Sequence, residues 1–309
     1  MQEFKHFSVM ANEAVNSLNC ESGKIYVDAT LGGGGYSELI LQKIQPDGFL
    51  YAFDIDEDAI CAAKKRLAKY KNFEIIKNSY TYIKQELLDR NISKITGGVV
   101  FDLGASTHQL TCKERGFSFM KDAPLDMRFD KDSDFTAFDI VNSYSEEKLI
   151  YIFQNYGEER FTKTIARAIV KERAKNTITT TLQLANLIKN CTPRVKSKIH
   201  PATRVFQAIR IEVNHELENV KNTLNEVIPF LDVGAIISVV SFHSLEDRIV
   251  KQTFKRYSAK CTCPPSQPIC TCEGAILEIV TKKPLLPTNQ EIDVNPASRS
   301  AKLRVSKRI

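Results

Sequence analysis

The sequence predicts an α/β protein: a doubly wound, mainly parallel sheet with helices on both faces, interrupted after its fourth strand by a helical insertion. Three observations predict it. Short apolar runs alternate with amphipathic helical stretches from residue 25 to residue 103, the pattern of successive βα units. Polar groups fall at or just beyond the ends of those runs, at Asp28, Asp54, Tyr80 and Asp102, and ligands of such sheets lie beyond the carboxyl ends of the strands. The alternation stops near residue 104 and resumes near 215, with a basic helical stretch between.

In chain order, residues 1–24 read as an opening helix, with Val9, Ala14, Val15 and Leu18 at helical spacing. Strand 25–29 carries Asp28 and is followed by the glycine loop 32–35 and a helix at 37–45. Strand 49–54 precedes helix 57–69, where Asp56 or Glu57 begins the helix and Asp58 adds a favourable charge to its first turn. Strand 73–77, helix 81–90 and the fully apolar strand 98–103 complete the first half. Residues 104–139 are irregular, and helices follow at 145–155, 157–175 and 179–190. A single long helix is expected from Ala202 to Val227, then a fifth strand at 234–241 and helix 244–257. Two tail strands, 275–281 and 301–306, close the sheet as a hairpin. The expected division is therefore 1–109 with 215–309 as the nucleotide-binding domain, and 110–214 as the insertion.

The glycine loop is the first chemical signal. Glycine accepts positive φ and lets backbone approach a ligand closely, and the helix that follows offers unpaired N–H groups. Gly32-x-Gly34-x-x-Ser37 is near a dinucleotide fingerprint, and Asp54 stands about twenty residues on, where an acid accepts both hydroxyls of a ribose. The loop suits a nicotinamide or an adenosyl cofactor alike. Asp28 favours the second: a carboxylate before the glycines repels a pyrophosphate and suits the cationic amino acid end of S-adenosylmethionine (SAM).

Composition and charge narrow the function further. Hydrophobic residues make up 43% and charged residues 26% of the 309, a soluble globular balance. The longest uncharged apolar run, 233–242, is too short to span a bilayer, and the first residues lack a signal-peptide core, so a cytosolic location is expected. The net charge of +6 is unevenly spread: residues 160–210 hold twelve Lys or Arg and one acid, which makes that segment +11 and the remaining chain −5. A basic block in an otherwise acidic chain points to a polyanionic partner. Lys163, Arg167, Lys171 and Lys175 are spaced by four, one stripe on a helix, read either as a solvated face or as a phosphate-binding one; Arg204, Arg210 and Arg299 are further candidates.

Longer blocks carry a family resemblance. They are residues 28–37, 102–110, 115–128, 156–160, 200–210, 241–248 and 295–304, in this order along nearly the whole chain. With them the chain resembles the MraW/RsmH family, the SAM-dependent 16S ribosomal RNA cytosine N4-methyltransferases. The resemblance implies a Rossmann-like SAM-methyltransferase domain interrupted by a helical substrate-recognition domain. It also implies SAM contacts at Gly34, Gly35, Tyr36, Asp54, Tyr80, Asp102 and Gln109, joined by Asp28 on the charge argument above. Three departures stand out: Tyr36 where the family commonly has His, Ala123 within a loop where it has Gly, and Thr107 where it has Ser. Ala123 resists a positive φ that Gly accepts.

Methyl transfer from a sulfonium is an in-line displacement that needs the acceptor nitrogen held opposite the sulfur. The cytosine N4 lone pair is delocalised into the ring, so an acceptor for its N–H group assists. Asp102 is the candidate, in place of the Pro-Pro-aromatic motif of many amino-methyltransferases, and His243 beyond the fifth strand is a second acid/base candidate. Phe117, Phe119 and Phe129 are candidates for stacking on bases, with Arg115 and Arg128 beside them. Cys112 is the one thiol near the expected site, with no obvious activating group. Cys261, Cys263, Cys270 and Cys272 form two C-x-C pairs that suit one structural zinc, although tighter than the usual C-x₂-C; a reduced loop is the other reading. The reading is an rRNA methyltransferase acting on the small subunit. A non-catalytic SAM- and RNA-binding assembly factor is the alternative, and the sequence leaves monomer and homodimer open.

Overall fold

Strands Ile25–Asp28 (β1), Phe49–Asp54 (β2), Phe73–Lys77 (β3), Gly98–Asp102 (β4), Ile236–Ser241 (β5), Leu277–Ile279 (β6) and Lys302–Arg308 (β7) form one sheet in the order β3-β2-β1-β4-β5-β7-β6. These come from a computed structural model that describes residues 8–106, 109–110, 112–193, 200–261, 263 and 274–309. The first five strands run parallel; β7 runs antiparallel to both β5 and β6. The tail strands thus join the sheet as a hairpin with β7 inside.

The sheet belongs to the first of two compact units, residues 1–104 with 217–309; the second is 105–216. Its strands are nearly continuous apolar runs because both faces are covered. Alternate residues serve opposite layers. Val27, Val99, Phe101, Ile237 and Val239 face one core with Leu87 of helix Ile83–Asp89 (α4) and Val250 and Phe254 of the helix after β5. Tyr26, Val100, Ile236 and Val240 face the other, with helices Ala11–Ser17 (α1), Gly35–Lys43 (α2) and Glu57–Leu67 (α3). Each Val or Ile fully buried there contributes on the order of 1.5–3 kcal/mol. Helix α3 begins at Asp56, whose Oδ1 accepts the Asp58 N–H at 3.1 Å, and its last turn carries Lys64, Lys65 and Arg66, matching the helix dipole.

The second unit packs helices Ala137–Ser143 (α5), Glu146–Asn155 (α6), Thr162–Arg173 (α7), Thr181–Cys191 (α8) and Thr203–Asn214 (α9) around one core that includes Ile140, Phe153, Ile165, Leu184 and Phe206. Two expectations are corrected. The helix expected from Ala202 to Val227 is two helices, α9 and Glu216–Phe230 (α10), because His215 adopts a left-handed φ of 50° and caps α9. The stretch expected to be irregular, 104–139, ends inside the first turn of α5, whose Thr136 and Asp139 close a capping box, with the Thr136 N–H donating to Asp139 Oδ2 at 2.8 Å. The remaining described helices are Ser244–Tyr257 (α11) and Asn289–Val294 (α12). Of the opening helix expected over 1–24, the described residues 8–24 are helical only over α1; Asn19 at φ 47° and Gly23 at φ 75° follow it.

Candidate functional site

Register brings three acids to one face of the first unit's sheet. Asp28 is level with Ala52 on β2 and Val100 on β4, two residues short of Asp54 and Asp102. Side chains two apart in a strand share a face, so Asp28 sits one pleat deeper, flanked by Asp54 and Asp102, on the side that α2 covers. This is where the strand order reverses, β1 leading outward to β2 and β3 while β4 leads to β5, the position at which such sheets bind ligands.

The glycine loop is built on these acids. Asp28 has no exposed surface; its Oδ1 accepts the Thr30 N–H at 3.2 Å and its Oδ2 accepts the Ser37 hydroxyl at 2.6 Å. Asp54 Oδ2 accepts the Gly32 N–H at 2.8 Å and Oδ1 the Asp56 N–H at 2.9 Å. The turn itself runs through Gly32 at φ 50° and Gly34 at φ 78°. A Cβ on Gly35 would fall 2.0 Å from Ser8 Oγ, so any larger residue there requires Ser8 to move. Arg66 Nη1 donates to the Gly33 carbonyl at 2.9 Å and fixes the outer side of the turn.

Asp102 differs from its neighbours. Its backbone N–H donates to Thr30 Oγ1 at 2.7 Å, and its Oδ1 is shut off from solvent with no hydrogen-bond partner. Burial pushes the carboxyl groups of Asp28 and Asp54 up to about 6. It pushes Asp102 well above the usual carboxylate range, and the charges of Asp28, Glu246 and Glu291 push the same way. Buried like charges without compensation are costly, so the cluster favours a cation. Tyr36 is 1% exposed; its ring packs in the core with Leu31 and Ile40, and its hydroxyl donates to the Val9 carbonyl. The ring is therefore part of the wall behind the turn.

The other expected site residues fall as follows. Tyr80 begins a 3₁₀ turn beyond β3 and stands edge-on to Phe101, ring centres 6.1 Å apart. Gln109, in the second unit, is buried, and its Oε1 accepts the Ser106 N–H at 3.0 Å. His243 caps α11; its Nε2 is 3.0 Å from Glu246 Oε1, and Glu246 Oε2 accepts the backbone N–H groups of Phe242 and His243 at 2.8 and 3.2 Å. The sequence does not single out Glu246, Glu291 or Thr30, and marks Val9 only as an apolar position of the opening helix. Glu246 carries a signal there, three residues beyond the helix-capping position of His243; Glu291 carries none that points to Asp102.

In the second unit, Lys163, Arg167 and Lys171 lie exposed along α7, with Arg167 Nε 3.0 Å from Glu146 Oε1. The helical stripe is one residue shorter than expected: α7 ends at Arg173, so exposed Lys175 lies past its C-cap, Ala174, in a turn where its N–H donates to the Glu172 carbonyl. Arg204 is exposed and donates to the Glu158 carbonyl at 3.0 Å; in the first unit Arg299 is exposed, close to β7. Arg210 forms a two-bond pair with Glu216, both at 2.8 Å. Of the aromatic candidates, Phe117 is buried and stacks on half-buried Phe129 at 5.5 Å, and half-buried Phe119 packs on Phe206 at 4.9 Å. Arg115 is buried and donates to the Arg128 and Phe129 carbonyls, while Arg128 pairs with Asp126 at 2.7 Å. Ala123 is buried without a positive φ; the left-handed residue of that loop is Met127, at 64°. Cys112 is half-buried. Of the four cysteines read as a zinc set, Cys261 is exposed and Cys263 half-buried, while Cys270 and Cys272 lie outside the described residues.

A glycine turn at the reversal point, a ribose-type acid at β2 and an acid cluster with an orphaned buried oxygen define a SAM-dependent methyltransferase: the residues present fit an adenosyl group that carries positive charge. The profile of the MraW methylase family matches residues 3–309, and the chain belongs to that family. It is 48% identical over 309 residues to ribosomal RNA small subunit methyltransferase H of Clostridium botulinum (strain Loch Maree / Type A3), covering 99% of this chain and 100% of that one. The identity is 46% over 312 residues to the protein of that name from Clostridioides difficile (strain 630), with 99% and 100% covered. It is 48% over 307 residues to that from Caldicellulosiruptor bescii, with the same coverage.

Proposed function

We propose that this chain transfers the methyl group of SAM to the exocyclic N4 amine of a cytidine in 16S rRNA of the small ribosomal subunit. The observation that carries the reading is Asp102: a buried carboxyl with one oxygen unpartnered, at a strand end beside the glycine turn. Relatives that cover the whole chain bear the name of small-subunit rRNA methyltransferases. Bound SAM supplies an electrophilic methyl group on a positively charged sulfur. The residues of the first unit that would hold it are the backbone of Gly34, Gly35 and Tyr36, with Asp54, Tyr80 and Asp102. Asp28, fully enclosed, acts by fixing the loop through Thr30 and Ser37.

A cation beside Asp102 favours its ionised form. Its carboxylate then accepts a hydrogen bond from the N4–H of the cytosine, which localises the nitrogen lone pair, and takes the proton the amine must lose. His243 faces Glu246 and acts by holding the loop after β5. The basic residues Lys163, Arg167, Lys171, Lys175, Arg204 and Arg299 meet RNA phosphates, which fix position but not sequence, and the unit 105–216 serves substrate recognition. The experiment is incubation of the purified protein with SAM labelled on the methyl group and either naked 16S rRNA or small subunits, followed by nucleoside analysis. N4-methylcytidine carrying the label is expected. Its absence from both substrates, where a second methyltransferase labels the same RNA, would overturn the reading.

A further inference from the structure

The peptide joining Gly33 to Gly34 has glycine on both sides, which leaves its plane free to rotate unless something holds it. Two hydrogen bonds do. The Gly34 N–H donates to the Leu31 carbonyl at 2.8 Å, and the carbonyl of buried Gly33 accepts from Arg66 Nη1 at 2.9 Å. The second bond comes from α3, which lies close against the turn: a Cβ on Gly34 would fall 3.3 Å from Ala63 Cβ. Arg66 is aimed by a further contact. Its Nε stands 3.3 Å from Oε2 of Glu38 on α2, and Lys69 Nζ is 3.1 Å from Glu38 Oε1. One guanidinium thus joins the turn to both helices that flank it.

This arrangement suits orientation better than stability. The Arg66 side chain is 37% exposed, and ion pairs open to water add little to folding. Its truncation admits water to the Gly33 carbonyl, so the peptide keeps a partner and loses its fixed plane. Gly34, at φ 78°, follows that plane and leads directly into α2 at Gly35. The N–H groups of a first helical turn have no helical acceptor and suit an anion. SAM carries one, the carboxylate of its amino acid end. We propose that Arg66 is a positioning residue for the cofactor: by holding the Gly33 carbonyl it sets the turn so that the first N–H groups of α2 receive that carboxylate. The proposal rests on the functional reading above and extends it to a side chain of α3.

The test is titration calorimetry of the full chain, wild type and Arg66→Ala, with SAM, S-adenosylhomocysteine and methylthioadenosine, which lacks the amino acid end. Arg66→Ala is expected to bind SAM and S-adenosylhomocysteine about tenfold more weakly, the loss of one charge-assisted hydrogen bond. Its affinity for methylthioadenosine is expected to stay within about twofold of the wild type, and its urea midpoint to change little. Unchanged SAM affinity, or an equal loss for all three ligands, would mark a bystander or a packing role; either overturns the proposal and leaves the functional reading intact. Glu38→Gln keeps the proposal testable where Arg66→Ala folds poorly, because it loosens Arg66 without removing it. The same ligand order is expected there with a loss of about threefold, and a loss shared equally by the three ligands, or none, overturns the proposal. No SAM binding by the wild type overturns both.

Discussion

Ser37 donates its hydroxyl proton to Asp28 Oδ2 across 2.6 Å, and neither side chain reaches solvent. One bond joins the last residue of β1 to the first turn of α2 and closes the ends of the glycine loop. It also does most to hold the buried Asp28 carboxyl down against burial. Ser37→Ala therefore leaves a buried carboxyl oxygen without its partner. A loss of about 1–3 kcal/mol is expected, read as a lower urea midpoint with an unchanged slope.

Gly35→Ala tests the close approach of the N-terminal segment. The added Cβ would meet Ser8 Oγ at 2.0 Å and Ser8 Cβ at 2.9 Å, so Ser8 must move. Weaker SAM binding is expected, together with a stability loss of about 1–3 kcal/mol from overpacking. Combining it with Ser8→Gly removes both clashing atoms. The double variant is expected to recover most of the loss, and simple additivity of the two effects would show that Ser8 is not the obstacle.

The raised carboxyl groups of Asp28 and Asp54 make a signed prediction about pH. Unfolded, each titrates near 4; folded, near 6. The folded state binds more protons between those values, so the contribution of each group is fully present below about pH 4 and is lost as pH rises through about 6. A shift of about two units corresponds to roughly 2–3 kcal/mol per group. Asp54→Asn removes the titration. Its stability relative to the wild type is expected to improve steadily from pH 4 to 7, measured by denaturant unfolding without SAM, and a flat difference would count against the burial argument.

Charge reversal on α7 separates phosphate contacts from scaffolding. Lys163 and Lys171 are exposed, whereas Arg173 donates to the Val141 and Tyr144 carbonyls and ties α7 to its neighbours. Lys163→Glu and Lys171→Glu are expected to weaken RNA binding and to reduce the slope of log affinity against log salt by about one or more per site. Arg173→Ala is expected to lower stability with little change in slope. Arg167 is shared with Glu146 and is expected to fall between them.

Much of this arrangement is legible in the sequence, for physical reasons that differ by region. Strands such as β4 and β5 are buried on both faces and read as continuous apolar runs, so their ends, and hence Asp28, Asp54 and Asp102, can be located. The break at His215 is hidden because a left-handed residue other than glycine leaves no compositional mark. Phe117, Phe119 and Phe129 read as base-stacking candidates next to Arg115 and Arg128; that Phe117 lies in the core, with Phe119 and Phe129 half-buried against it, depends on partners such as Phe206, far along the chain. The same holds for Glu291, whose link to Met10 spans 281 residues. Tyr36 reads from the sequence as a cofactor contact where the family commonly has His, and its hydroxyl contact with Val9 emerges only once α2 lies beneath the N-terminal segment.

Asp102 is the residue on which binding and chemistry can be told apart. Asp102→Asn keeps the shape and removes both the charge and the ability to take a proton. As acceptor for the N4–H bond, Asp102 is expected to matter more to transfer than to affinity: a fall in methylation rate of about 10²–10⁴-fold, against a loss in SAM affinity closer to tenfold. Single-turnover methylation of small subunits and direct SAM titration measure the two separately. Equal losses in both would make Asp102 a cofactor ligand alone and return the search for the acceptor to His243, the other acid/base group read from the sequence. His243→Ala supplies the contrast. Its imidazole faces Glu246, so loss of the side chain is expected to disturb the turn after β5 and change the rate by less than tenfold, with no new pH dependence.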